Sequence, residues 1–187
     1  YTDIYIYVEH EAIVRTYDVH VVSNNTTYGT VSGSIIEDVE YGEAISLVIT
    51  GANGSISIAG TTITATANTG YHLGSYTGAT NGSSVTGEMT ITAVFEANTD
   101  TQYTVNHYRE NINDTQYTLY ESEELEGTTG EEVTPSVKTY TGFDSPSRES
   151  ITIAADGSSV VNYYYDRIRY NLTLTAGEGI TSVSGSG

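Results

Sequence analysis

The chain of 187 residues carries 24 acidic and 6 basic side chains, and its net charge of −18 at pH 7 disfavours nucleic acids and anionic membrane surfaces as partners. It has no cysteine, hence no disulfide, and no apolar run approaches the length that spans a bilayer, so we expect no direct membrane insertion. The 17 tyrosines, with many Thr, Ser, Val and Ile residues, favour thin β-sheets over helices.

Residues 1–13 contain the alternating stretch "TDIYIYVE", which predicts a β-strand. The other strands of its module are not in this sequence. We expect this strand to close a preceding module. The chain is then expected to be a segment of a longer, repetitive protein.

Residues 14–98 predict a first full module. Alternating stretches such as "YDVHVV", "TVSGSII", "TITATA" and "EMTITAVFE" predict strands, and the first of them opens on Tyr17. Glycines separate these stretches at short spacings, as hairpin turns require. We therefore expect strand to follow strand without a helix.

Residues 99–167 predict a second module, in the order strand, strand, short helix or turn, strand, strand. Its strands are "QYTVNHYRE", which contains Tyr103, "TQYTLYESEEL", and two that flank the turn "ADGS". Only residues 121–133 hold a partial helical period, and Gly127 and Gly130 interrupt it. We expect at most one short helix there.

Residues 168–187 predict the start of a following, truncated module, whose first strand opens on Tyr170. The same arrangement of a strand, a few polar residues and a tyrosine-opened strand occurs at Tyr17, Tyr103 and Tyr170. The recurrence predicts consecutive small modules rather than one core.

Three adjacent tyrosines close the second module. On a strand, Tyr163 and Tyr165 share one face and Tyr164 takes the other, so both faces are aromatic. One face can enter the core, and the other can pack on a neighbouring module or stack on sugar rings. We favour packing between modules. The candidate surface for module contacts or a ligand comprises Tyr17, Tyr103, Tyr163, Tyr164, Tyr165, Arg167 and Tyr170.

The second module carries the stretches "YTVNHYREN", "LEGTTGEEVTP", "YTGF" and "ITIAADGSSVVNYYYDR". In these it resembles the internalin B-type B-repeats and the related mucin-binding-protein (MucBP-type) repeats of bacterial surface proteins. The first module is similar to the divergent B-repeat class in "YGTVSG", "EYGEAISLV", "ITATANTGYHLGSYTG" and "MTITAVFE", except that Tyr76 stands where that class usually has a tryptophan.

The resemblance implies a mainly β fold of tandem, small β-grasp-like modules, with at most one short helix each, arranged as an elongated rod. It also implies an extracellular location on a bacterial cell surface, with cell-wall attachment through regions outside this segment. The expected partners are neighbouring modules of the same chain.

No motif predicts catalysis, a cofactor or a metal. The four histidines, at positions 10, 20, 72 and 107, show no HxxxH or HExxH spacing, and the acidic run in residues 121–132 lacks a calcium-binding loop. The chain also lacks a GxSxG motif, a cysteine nucleophile and a Walker motif. We therefore expect a protein that is not an enzyme.

Covalent cross-links remain an open alternative. Lys138 is the only lysine and could join an asparagine in an isopeptide bond, although exposure at a strand edge is favoured. A Thr–Gln ester at Gln102 or Gln116 is permitted but not indicated. Most of the six Asn-x-Ser/Thr sequons are interpreted as unglycosylated turn residues.

The predicted function is a non-enzymatic stalk segment of an adhesin-type surface protein, which holds a distal binding domain away from the cell. Two alternatives remain. The modules could be adhesive and bind a glycan or a host surface protein, or they could be structural units of a phage or of an extracellular filament.

Overall fold

The computed structural model describes residues 4, 13–175 and 177–179. Alternating side chains and β-branched residues form strands throughout this part of the chain, which contains no helix. The strands are β1 (Thr16–Ser23), β2 (Gly29–Val31), β3 (Ile35–Glu40), β4 (Ser46–Thr50), β5 (Asn53–Ile58), β6 (Thr61–Ala67), β7 (Tyr71–Thr77), β8 (Met89–Ala97), β9 (Thr101–Glu110), β10 (Tyr117–Gly127), β11 (Glu132–Val133), β12 (Phe143–Asp144), β13 (Ile151–Thr152) and β14 (Val160–Arg167).

Residues 14–98, here called the first unit, form two four-stranded sheets. One has the order β3-β1-β8-β7, in which the first and last strands, β1 and β8, lie parallel at the centre. The other has the order β2-β6-β5-β4 and is antiparallel. Apolar residues from both sheets bury one another in a shared core, made of Val19, Val21, Ile36, Val39, Ile45, Ile56, Ile58, Ile63, Val85 and Ile91.

The β5–β6 hairpin shows how local chemistry sets this fold. Ile58 pairs with Thr61, so Ala59 and Gly60 form a two-residue turn, and both have positive φ, at 49° and 81°. Two positive φ values define the type I′ turn, whose twist matches that of the strands it joins. Gly60 adopts this conformation without strain, whereas Ala59 does so at some cost.

Residues 99–167, the second unit, form a sheet of order β10-β9-β14-β12, and its first and last strands, β9 and β14, again lie parallel at the centre. The short β11–β13 ribbon and the extended chain between β11 and β12 cover one face. The core is separate from that of the first unit. It contains Tyr103, Val105, Ile153, Val161, Tyr163 and Tyr165, with Val133, Val137, Tyr140, Phe143 and Ile151 packed against them.

The main sheets of the two units share one arrangement: the first and last strands lie parallel at the centre, and each has an antiparallel partner on its outer side. The units differ in what covers the inner face. A second sheet covers it in the first unit, and extended chain covers it in the second. The prediction of a mainly β chain is confirmed, and the described residues are all-β.

Residues 121–133, for which the sequence predicts at most one short helix, contain none: they continue β10 to Gly127 and then turn into β11, because β10 pairs with β9 along its whole length. One local prediction is wrong. The stretch "TVSGSII" is not one strand. It divides between β2 and β3, which belong to different sheets.

The two terminal predictions fall largely on residues that the structure does not describe. Apart from residues 4 and 13, the strand predicted in residues 1–13 lies outside the described residues. In the predicted following module, residues 168–175 are described and form no strand. The strand expected to open on Tyr170 is therefore not present in this part of the chain.

Candidate functional site

Most of the predicted tyrosines pack inside their own unit. Tyr163 and Tyr165 are fully buried in the second core, and Tyr103 is 7% exposed beside them. Tyr17 is half-buried against the first core. Their first role is therefore to fill small cores with large rings.

Tyr164 points to the opposite face of β14 and is 48% exposed. Its ring stacks on that of Tyr108, with ring centroids 5.1 Å apart, and meets the ring of Tyr117 edge-on at 5.1 Å. Leu119 lies opposite Tyr108 in the antiparallel pair and so shares this face. We call Tyr108, Tyr117, Leu119 and Tyr164 the outer tyrosine surface.

A row of polar side chains continues this face along the strands. Asn106 donates from Nδ2 to Asn162 Oδ1 at 3.0 Å, and Ser122 donates from Oγ to Asn106 Oδ1 at 2.8 Å. The three residues are cross-strand neighbours. Aromatic rings beside ordered amides form a surface suited to a ligand with both apolar and hydroxyl-bearing faces.

The inner face holds a buried polar network around His107, which is fully buried. The Tyr165 hydroxyl accepts a hydrogen bond from the backbone N–H of Lys138 at 2.8 Å, which leaves its own proton for His107 Nδ1, also at 2.8 Å. With Nδ1 accepting, Nε2–H donates to Glu123 Oε2 at 3.2 Å. Each of the polar atoms that link Lys138, Tyr165, His107 and Glu123 thus has a hydrogen-bond partner.

Lys138 holds the outer end of the network. Its Nζ lies 2.6 Å from Glu121 Oε1 and 2.8 Å from Glu123 Oε1. Hydrogen bonds from this ammonium lower the pKa of both carboxyls, and the same contacts raise the pKa of Lys138. Burial, and then the hydrogen bond that it donates to Glu121, raises the pKa of Tyr140 to about 12.

This geometry bears on the isopeptide alternative. An isopeptide bond needs a neutral lysine amine beside a side-chain carbonyl of Asn or Asp, but two glutamates hold Lys138 as an ammonium ion. The favoured alternative, simple exposure at a strand edge, is also wrong, because Lys138 bridges the chain after β11 to β10.

The three residues between β8 and β9 form the joint between the units. Asn98, the first of them, makes its main hydrogen bonds. Its backbone N–H donates to Gly70 O and its carbonyl accepts from the Thr129 N–H, both at 2.9 Å. Its Oδ1 lies 2.9 Å from His72 Nδ1. The bond to Thr129 crosses from the first unit to the second.

A close backbone approach reinforces this joint. Gly70 has a φ of 80°, and a Cβ placed on it would lie 2.7 Å from the Cβ of Ala155 and 2.8 Å from the carbonyl oxygen of Ala155. Only glycine fits there without displacing a neighbour. The joint contacts therefore run through small polar residues and backbone, and Tyr103, the tyrosine beside this joint, packs into its own unit.

The other end of the second unit is fixed by the nearly buried carboxylate of Glu110. It accepts from the Arg167 backbone N–H at 2.8 Å and from Arg169 at 2.6 Å. The first of these bonds is the main cause that lowers the pKa of Glu110. Asp166 accepts from the Tyr117 hydroxyl, whereas Tyr170 is 84% exposed. The chain thus leaves the unit along a defined path up to Arg169.

The structure leaves the histidines apart. His20 is exposed on β1, His72 lies at the joint and His107 lies in the second core. His10 lies outside the described residues. Across residues 13–175, no three His, Asp or Glu side chains come together as a metal site would require.

No helix in the described part of the chain has the length and apolar character needed to cross a membrane. Comparisons of the chain with family models, curated proteins and solved structures find no match. The resemblance to B-repeats therefore rests on the motifs quoted above.

Proposed function

We propose that this chain is a non-enzymatic stalk segment of an extracellular surface protein, in which small modules in series hold a distal binding domain away from the cell. The observation that carries the proposal is the joint at Asn98. The two units have separate cores, only three residues separate β8 of the first from β9 of the second, and the Thr129–Asn98 hydrogen bond and the Gly70–Ala155 contact tie them together. Such a joint resists bending, as a spacer requires.

The repeated strand order supports the assignment of tandem modules. Both main sheets place the first and last strands parallel at the centre, with an antiparallel strand on each outer side. This order is that of a β-grasp sheet. Together with the quoted motifs, it favours β-grasp-like modules of the B-repeat kind, in which sheet or extended chain takes the place of the usual helix.

The polar groups of the second unit favour a structural role over catalysis. The His107–Tyr165 and Lys138–glutamate contacts satisfy one another inside the fold. A catalytic group would instead offer an unsatisfied atom to a substrate in a cleft. The acidic surface and the absence of cysteine agree with an exposed bacterial protein that is built without disulfides.

Small-angle X-ray scattering of the whole chain tests the stalk proposal. A compact chain of 187 residues would have a radius of gyration of roughly 16 Å, and we expect a value clearly above this with a narrow distribution of lengths. Inserting Gly-Ser-Gly-Ser between Thr99 and Asp100 should broaden that distribution. The same insertion between Asn113 and Asp114, in a hairpin loop, is the control and should not. A compact or broad wild-type distribution would contradict the proposal.

A second candidate function is adhesion, because Tyr164 and its neighbours expose an aromatic surface beside an ordered row of amides. The ligand class would be a glycan or a host surface protein. A glycan array with the whole chain tests this: binding that is lost in Tyr164→Ala but retained in Tyr41→Ala, a change at an exposed tyrosine of the first unit, favours adhesion. Absence of binding leaves the stalk as the better account.

A further inference from the structure

Three of the six basic residues of this acidic chain, Arg109, Arg167 and Arg169, gather at one end of the second unit's sheet. Arg109 and Arg167 line a cleft of about 440 Å³ between β10 and the hairpin loop that precedes it. Such a concentration of positive charge is conspicuous in a chain with a net charge of −18.

Aromatic rings hold the Arg109 guanidinium in place. Its Cζ lies 3.2 Å from the ring centroid of Tyr120, 4.2 Å from that of Tyr140 and 5.2 Å from that of Phe143. These contacts stabilise a cation and fix the plane of the group. Its Nε is buried, and no described residue accepts a hydrogen bond from it.

The acidic groups near this cleft are already engaged. Glu110 accepts from the Arg167 N–H and from Arg169, and Asp114 accepts from Asn111 Nδ2 and from the Gln116 N–H. No salt bridge within residues 13–175 includes Arg109. Arg109 therefore borders an open cleft without forming a salt bridge to any described residue.

Arg167 adds a second guanidinium on the same side. Its Nε donates to the Glu110 carbonyl at 2.9 Å, and its Cζ lies 4.9 Å from the Phe143 centroid. The Phe143 ring thus contacts both guanidiniums. Exposed apolar side chains of Ile112, Leu119 and Tyr120 form part of the rim, together with the polar side chains of Asn111, Asn113 and Thr118.

We propose that this cleft binds the carboxylate of a small sugar acid, with Arg109 as the anchoring residue. A planar guanidinium matches a carboxylate in a bidentate geometry, and the apolar part of the rim fits the carbon skeleton behind it. The charge of −18 repels polyanions far more than it repels a singly charged molecule, which favours a single uronate over a nucleic acid or a sulfated polymer. This site is separate from the stalk joint and borders the outer tyrosine surface, with which it shares Leu119.

The test is an NMR titration of the whole ¹⁵N-labelled chain with D-glucuronate, read on the arginine Nε–H signals. The Arg109 signal should shift with saturation at a dissociation constant of about 1–10 mM, and the Arg148 signal should not shift. Sodium chloride at equal ionic strength and the methyl ester of glucuronate, which lacks the charge, should cause no saturable change. Acetate separates recognition of any carboxylate from recognition of a sugar acid: equally tight binding of acetate would overturn the sugar-acid assignment.

Two arginine variants provide a second test of glucuronate binding. Arg109→Gln should weaken glucuronate binding about tenfold or more, since it removes a charge-assisted contact. Arg15→Gln removes an equal charge from the first unit and should bind as the wild type does. If Arg109→Gln fails to fold, the wild-type signals decide the question. A wild-type chain without a saturable Arg109 shift, or a folded Arg109→Gln that binds normally, overturns the proposal.

Discussion

Tyr164 and Tyr165 are neighbours in the chain but lie on opposite faces of β14, where Tyr165 is 0% exposed and Tyr164 is 48% exposed. The Tyr165 hydroxyl links the backbone of Lys138 to His107 inside the second core. The three consecutive tyrosines thus divide between a buried network and an outer surface, as the alternation of a strand requires.

This division predicts unequal effects from removing the two hydroxyls. Tyr165→Phe leaves the Lys138 N–H and His107 Nδ1 without a partner, and should lower the free energy of unfolding by about 1–3 kcal/mol. Tyr164→Phe is the matched control and should change it by less than about 0.5 kcal/mol. Urea unfolding of the whole chain measures both. Equal losses would show that the network contributes nothing specific.

The tyrosines that open the predicted strands should also differ from one another. Tyr103→Ala removes a ring that is 7% exposed in the second core, so it should cost about 3 kcal/mol. Tyr170→Ala alters a residue that is 84% exposed and should cost less than about 0.5 kcal/mol. Thermal or urea unfolding checks the pair. Comparable costs would mean that Tyr170 packs as Tyr103 does.

Much of the fold follows from patterns in the sequence. Strict alternation predicted β1, β8, β9 and β14, and the "ADGS" turn lies between the last two strands of the second unit as expected. Alternation also places His107 on the same face as Tyr103 and Val105. The sequence alone is therefore sufficient to predict that His107 is buried. That inference was missed, because histidine is usually considered as a metal ligand or a surface residue.

Other features depend on tertiary contacts that no local pattern encodes. The β10 segment is rich in glutamate, which gives it a weak helical preference, but pairing with β9 outweighs that preference. Gly70 and Ala155 are 85 positions apart, and only the folded chain brings them together. A bulge in β10 between Leu119 and Glu121 turns Tyr120 towards Arg109, and nothing in the sequence marks it.

The glutamates that bind Lys138 predict a specific pH dependence. Their folded pKa values are lowered, so their contribution to stability is present above their ordinary value of 4.5 and is lost as the pH falls through the folded pKa values. Lys138 stays charged throughout, because its pKa is raised. Lys138→Met should therefore flatten the decline in stability below pH 4.5.

Urea unfolding between pH 7 and pH 3 measures this decline. Glu124→Gln changes an exposed glutamate of the same strand and is expected to keep the wild-type slope. An identical slope in the wild type and in Lys138→Met would rule out the ion pairs as its source.

Gly70 at the joint and Gly60 in the β5–β6 turn form a matched pair of glycines. Gly60 and Gly70 have nearly the same positive φ, 81° and 80°, but a Cβ on Gly60 would meet nothing within 4 Å, whereas one on Gly70 would meet Ala155. Both alanine variants should lose about 1 kcal/mol of stability through backbone strain in the first unit. Only Gly70→Ala should also loosen the contact between the units, seen as a broader distribution of lengths in X-ray scattering. The same broadening in Gly60→Ala would contradict this assignment.

The most direct test of the stalk account is the alignment of the two units in a weakly ordering medium, measured by NMR residual dipolar couplings on the whole chain. If the Asn98 joint holds the units as a stiff spacer, the couplings of residues 16–97 and those of residues 101–167 will fit one alignment tensor with the same magnitude and orientation. If the two units require different tensors, they reorient independently as beads on a flexible linker, and the stalk account is wrong.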